Sequence, residues 1–160
     1  MTIEPIMSRH VRYCRPDHTL DYAASQMWDH DCGCLPVCVA DGEARVIGML
    51  TDRDICMAAL FQGRPLRELK VADAMSRDIR VCDVDDRPED VEQLMRESKV
   101  RRVPVTDDSG SLVGIVSLAD LARAAHGRVA APRPEAVSAD VGHTLAAICE
   151  PGQSQSEAAV

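Results

Sequence analysis

Apolar and polar positions divide this chain into two halves of one pattern. In the first half, Val11-Arg12-Tyr13-Cys14 reads as a short strand. Leu20, Ala23, Ala24 and Met27 recur at the spacing of one helical face, behind the cap candidates Asp17-His18-Thr19. Leu35 to Val39 reads as a strand, Asp41-Gly42 as a hairpin turn and Val46 to Leu50 as the return strand. A second helix covers Asp52 to Phe61, so the order is β-α-β-β-α.

The second half repeats that order. Ile79 to Cys82 reads as a strand. Pro88 suits a first helical position, with Glu89 and Asp90 in the acidic first turn. Val91, Leu94 and Met95 keep the apolar spacing. Val103 to Thr106 and Leu112 to Val116 form a hairpin around Asp108-Ser109-Gly110, and Leu118 to Ala125 closes with a helix.

The copies also match residue by residue. Leu35-Pro36-Val37 answers to Val103-Pro104-Val105, and Ile6-Met7-Ser8 to Ala74-Met75-Ser76, both 68 residues on. Gly48 to Asp54 answers to Gly114 to Asp120, 66 residues on, so the second hairpin is shorter by two. A period this long marks a supersecondary unit used twice. The expected fold is α/β (α+β), with two such repeats packed face to face about a pseudo-two-fold axis. The cleft between them is a natural ligand site. The expected repeats span 5–61 and 74–126. A polar link at 62–73 should run over the surface. The segment 127–160 reads as linker, a short helix over Val141 to Cys149, and a disordered end.

Composition narrows the partners. The chain of 160 residues is 46% hydrophobic but has only Trp28, Tyr13, Tyr22 and Phe61 as aromatics, so its core is aliphatic. So few stacking groups argue against single-stranded nucleic acid. A formal net charge of −8 argues against a DNA backbone and anionic membranes. No apolar run of about 18 residues predicts a membrane span, and no secretory leader is recognisable. A cytoplasmic protein is expected, with its seven cysteines mostly thiols.

The pattern Gly-h-h-Thr/Ser-x-x-Asp (h apolar) stands at 48–54 and at 114–120, each time between strand and helix. By itself it reads as a helix cap, with a hydroxyl answered by an acid three residues later. Its recurrence at equivalent points of a repeat adds a ligand reading. The glycine lets a ligand approach the backbone. The helix N-terminus attracts phosphate. The hydroxyl keeps hydrogen-bonding capacity beyond its cap, and the carboxylate can accept from both ribose hydroxyls.

On these residues the chain resembles the tandem cystathionine-β-synthase (CBS) domain proteins, over residues 5 to 126, and among them the short stand-alone two-domain proteins of actinobacteria. Gly48 to Ile55, Arg101 to Val105 and Ala147 to Pro151 carry that nearer likeness. The resemblance implies adenosine-type ligands bound between repeats. It implies one site joining Met49, Thr51, Arg53 and Asp54 to Met75, Arg80 and Val100. The other would join Ile115, Ser117 and Asp120 to Met7, Arg12, Cys32 and Gly33, with Arg101 facing phosphates. Arg53 supplies a charge-assisted partner where the second motif has Ala119. The resemblance also implies a homodimer, through helical faces such as those of Leu20/Met27 and Leu121.

Cys32 and Cys34, which flank Gly33, depart from the family pattern, and Cys38 follows them in the next strand. Their Cys-x-Cys-x3-Cys spacing lacks the paired Cys-x2–4-Cys of structural zinc, so no metal site is expected. Packing is the leading reading, with redox sensing and metal as alternatives. A docked tail would bring Cys149 towards Cys14, where a disulfide is an alternative to two thiols.

The expected function is therefore a non-enzymatic sensor of an AMP- or ATP-like ligand, passing its signal to an effector protein. The alternative is a ligand-free stress-response interaction protein sensitive to thiol oxidation. Nothing pairs a nucleophile with an oriented base, so no catalytic residue is named.

Overall fold

The computed structural model describes residues 2–40, 43–126, 144, 145, 147 and 148. In the first half, α1 (Leu20–Asp29) leads to β1 (Cys34–Ala40), β2 (Ala44–Thr51) and α2 (Asp52–Gln62). A 3-10 turn at Leu66–Glu68 and the short α3 (Val71–Ala74) follow. The second half holds β3 (Cys82–Asp83), α4 (Pro88–Ser98), β4 (Arg102–Thr106), β5 (Leu112–Ser117) and α5 (Leu118–His126). The strands make two small sheets, an antiparallel β1-β2 pair and a β3-β4-β5 sheet. The Asp41-Gly42 turn lies outside the described residues.

The helices and hairpins fall where the periodicity places them, but the opening strands do not. Val11 to Cys14 contributes only one parallel bridge, Cys14 to Val37. The second opening strand shrinks to Cys82–Asp83, with Cys82 opposite Val105. These pairings occupy equivalent positions in the two repeats. In each the cysteine side chain is buried, its thiol facing the carbonyl of Pro36 at 3.8 Å or of Pro104 at 3.7 Å.

The link at 62–73 also differs from the expected surface run: Leu69 and Val71 are fully buried. They sit in the first core with Leu20, Leu35, Leu50 and Met75. Leu20 N–H donates to the Leu69 carbonyl at 2.9 Å, and Val71 N–H to the His18 carbonyl at 2.9 Å. Conversely, Ile3 and Met7 belong to the second core with Val91, Met95, Val103 and Leu121. Ile3 N–H donates to Asp86 at 2.9 Å. Each repeat therefore completes its partner's core with its own lead-in segment. The halves are thereby tied together by burial of apolar surface rather than by a surface tether.

A second tie joins the hairpins. Glu43 accepts hydrogen bonds from Ser111 at 2.8 Å and Ser109 at 3.1 Å. Val46 N–H donates to the Gly110 carbonyl at 3.3 Å.

Candidate functional site

Both motifs fold as full capping boxes. Thr51 Oγ1 accepts from Asp54 N–H at 3.1 Å, while Asp54 Oδ2 accepts from Thr51 N–H at 2.8 Å and from its hydroxyl at 2.7 Å. Asp120 Oδ2 accepts from Ser117 N–H at 2.8 Å and from its hydroxyl at 2.5 Å, and Asp120 N–H donates back at 3.1 Å. These bonds satisfy donors that the first turn of a helix leaves open. They also hold each carboxylate at the junction of strand and helix.

The glycines have another role than the one their position suggested. A β-carbon on Gly48 would lie 2.8 Å from the Ser76 carbonyl and 3.1 Å from Met75 Sδ. One on Gly114 would lie 2.6 Å from Met7 Sδ and 3.0 Å from the Ser8 carbonyl. What approaches the glycine is the other repeat's lead-in, not open ligand space. One residue further on, Met49 and Ser76 exchange hydrogen bonds of 3.0 and 2.8 Å, and Ile115 and Ser8 do so at 3.0 and 2.9 Å. Each motif thus lies at a crossing between repeats. This brings Met49 beside the Met75 segment, and Ile115 beside the Met7 segment.

The remaining expected residues scatter. Gly33 lies against the first motif, its carbonyl accepting from Asp52 N–H at 3.1 Å. The equivalent Arg101 carbonyl accepts from Leu118 N–H at 2.9 Å, beside the second motif. Arg80 is turned to its neighbour Asp78 at 2.6 Å. Val100 packs on the second core. Arg12, Arg53 and Arg101 are exposed side chains.

One residue that the motif reading passed over is Arg123. It binds Asp120 Oδ1 three residues back on α5. Met57 holds the corresponding place after Asp54. Three residues is the spacing of helical neighbours, so this pairing was available from the sequence. It makes the two motifs unequal, since Asp120 enters any ligand contact already ion-paired.

The cysteines are mostly interior. Cys14, Cys34, Cys38 and Cys82 are buried free thiols. Burial pushes Cys14 and Cys82 up to about 12 and Cys38 up to about 11. Among the described residues no cluster of three or more His, Cys, Asp or Glu side chains is arranged to hold a metal ion. Cys149, and with it the Cys14–Cys149 alternative, lies outside the described residues. In the tail, Thr144 is buried and accepts from Arg96 Nη2 at 3.2 Å, and Ile148 packs on the second core. Among the described residues no helix is long and apolar enough to cross a membrane.

Comparison with known proteins agrees with this architecture. The CBS domain family matches residues 3–60 and 71–127. CBS domain-containing protein YhcV of Bacillus subtilis is 38% identical over 121 residues, which cover 76% of this chain and 83% of that protein. Hypoxic response protein 1 of Mycobacterium tuberculosis is 38% identical over 122 residues, with the same coverage. A crystal structure of Hypoxic Response Protein I with two coordinated zinc ions aligns at 37% identity with a TM-score of 0.69, covering 77% of this chain and 98% of that one. Two similar structures carry adenosine compounds. CBSX2 in complex with AMP is 25% identical, with a TM-score of 0.67 and coverage of 79% and 96%. The CBS domain pair of MJ0100, in complex with 5-methylthioadenosine and S-adenosyl-L-methionine, is 26% identical, with a TM-score of 0.68 and coverage of 80% and 98%.

Proposed function

This chain belongs to the CBS domain family, and from that premise we propose that it is a non-catalytic sensor of an adenosine nucleotide such as AMP or ATP. The observation that carries the reading is the pair of capped carboxylates, Asp54 and Asp120, each set where a lead-in of the other repeat crosses its strand. A ligand held at such a crossing touches both repeats, so binding shifts their relative placement. The AMP complex of CBSX2 and the adenosine-type ligands of MJ0100 support this ligand class.

In this reading the ribose hydroxyls bond the carboxylate and the phosphate meets the helix N-terminus. The first site uses Met49, Thr51, Arg53 and Asp54 with Met75, Arg80 and Val100. The second uses Ile115, Ser117 and Asp120 with Met7, Arg12 and Arg101; Cys32 and Gly33, expected there, border the first motif instead, the Gly33 carbonyl accepting from Asp52 N–H. Asp54 Oδ2 already takes the cap, leaving Oδ1 for ligand. Asp120 shares its Oδ1 with Arg123, so the first site is the stronger.

The output passes to another protein, and the chain pairs with a second copy of itself. Leu20, Met27 and Leu121, expected on the dimer faces, are buried in the two cores, so the self-contact falls to Trp28 on α1 and Phe61 on α2, which are 87% and 79% exposed. A thermal-shift series with AMP, ATP, NADH and S-adenosylmethionine tests the ligand class: a rise in melting temperature with at least one supports it, and none with any of the four rejects it.

A further inference from the structure

The segment Cys32-Gly33-Cys34 joins α1 to β1 and has no part in the capping boxes. Cys32 is half-buried on the rim of a groove of about 470 Å³ between α1 and α2, lined also by Met27, Trp28, Asp52 and Cys56. Its N–H donates to the Met27 carbonyl at 3.0 Å, which fixes it to the end of α1. Cys34 is buried and opens β1 directly opposite Thr51. The Gly33 carbonyl between them accepts from Asp52 N–H. Both thiols thus border the start of α2, where the first motif makes its cap.

Arg102 stands in the second repeat at the position of Cys34 in the first. Its charge lies near enough to both thiols to favour their ionised forms. The two thiols therefore stand beside one cation. Residues two apart in a chain are at most about 7 Å apart, the upper end of what a disulfide spans. Gly33, which has no side chain, is the residue that bends if the bond closes.

We infer that Cys32 and Cys34 form a reversible dithiol–disulfide pair, and that the first motif reads its closure through the Cys34–Thr51 and Gly33–Asp52 contacts. The bond stands on its own; its effect on ligand rests on the nucleotide reading above. The oxidant is a low-molecular-weight disulfide. The more accessible Cys32 thiolate attacks one of its sulfurs, the small disulfide breaks, and the departing thiolate takes the proton. Cys34 sulfur then attacks Cys32 sulfur and expels the second small thiol, which takes the Cys34 proton. Two electrons pass from the protein to the oxidant, and two small thiols leave. Burial pushes both thiols up and Arg102 opposes the rise at each, so losing Arg102 slows the exchange.

The experiment equilibrates the full chain with mixtures of oxidised and reduced glutathione, maps disulfides by peptide fragmentation mass spectrometry, and titrates AMP into each form. The expected result is a Cys32–Cys34 bond, reversed by dithiothreitol, with AMP affinity roughly tenfold weaker when it is closed, an ordinary coupling between sites. Cys34→Ser abolishes both the bond and the redox dependence, and Cys38→Ser keeps both. Absence of the bond, or pairing of Cys32 with Cys38 or Cys56, overturns the inference. A closed bond with unchanged AMP affinity overturns the coupling. If the reduced protein binds no AMP, the nucleotide reading fails separately, and amide hydrogen exchange at Thr51 and Asp52 decides the coupling: slowed or quickened exchange on closure supports it, identical exchange rejects it.

Discussion

Gly48 meets the Ser76 carbonyl so closely that a β-carbon would sit 2.8 Å from that oxygen. The contact is between backbone and backbone across the two repeats, so neither side can swing away. Gly48→Ala must separate the strand from the crossing lead-in, at a cost of about 2 kcal/mol or more. Gly114→Ala first meets the flexible Met7 side chain and costs less, about 1 kcal/mol. Urea denaturation of both variants checks the order. Equal stability of Gly48→Ala and wild type would contradict the crossing.

Arg123 holds Asp120 but nothing equivalent holds Asp54 among the described residues. Arg123 is 72% exposed, so the pair itself contributes little, on the order of 0.5 kcal/mol after solvent screening. Arg123→Ala should therefore leave stability nearly unchanged and strengthen nucleotide binding at the second site a few-fold. Titration calorimetry resolving two sites measures it. Weaker binding in Arg123→Ala would mean that the arginine contacts the ligand itself.

The buried thiols set an alkaline limit. Unfolded cysteines ionise near pH 9, while Cys14 and Cys82 in the fold ionise near 12 and Cys38 near 11. Between these values the unfolded chain has released protons that the folded chain keeps, so stability falls as pH rises. The loss begins near pH 9 and ends near pH 12. Under reducing conditions Cys82→Ala should be less stable than wild type at pH 7 and show a shallower decline above pH 9. Denaturant midpoints at pH 7, 9 and 10 give the slopes, and parallel slopes would reject the thiols as the cause.

Trp28→Asp and Phe61→Asp place a charge on an exposed apolar face without touching either core. Both should yield monomers in sedimentation equilibrium while keeping nucleotide binding. A dimer that survives both changes places the self-contact elsewhere.

Much of this was legible in the sequence. The repeat offsets located both hairpins and both motifs, and helical spacing located α1 and α4, because those features follow from local periodicity. The exchange of lead-ins did not show. Leu66, Leu69 and Val71 lie among Arg64, Arg67, Glu68 and Lys70, so the segment reads as solvated although Leu69 and Val71 are fully buried. Their backbone partners, Leu20 for Leu69 and His18 for Val71, lie 49 and 53 residues back, beyond any local pattern. The motif glycines were visible, but glycine signals only a close approach. Whether ligand or chain approaches is a matter of tertiary structure. The opening strands are shorter than their apolar runs suggest, because an apolar run does not show how few partners it will find.

The most direct measurement is isothermal titration of AMP and ATP into the reduced protein, beside an Asp54→Ala/Asp120→Ala double variant verified as folded by circular dichroism. The sensor account predicts micromolar binding to the wild type and none to the double variant. The variant should lose only about 1 kcal/mol of stability per cap. No binding to a folded wild-type protein, or undiminished binding to the double variant, would contradict it.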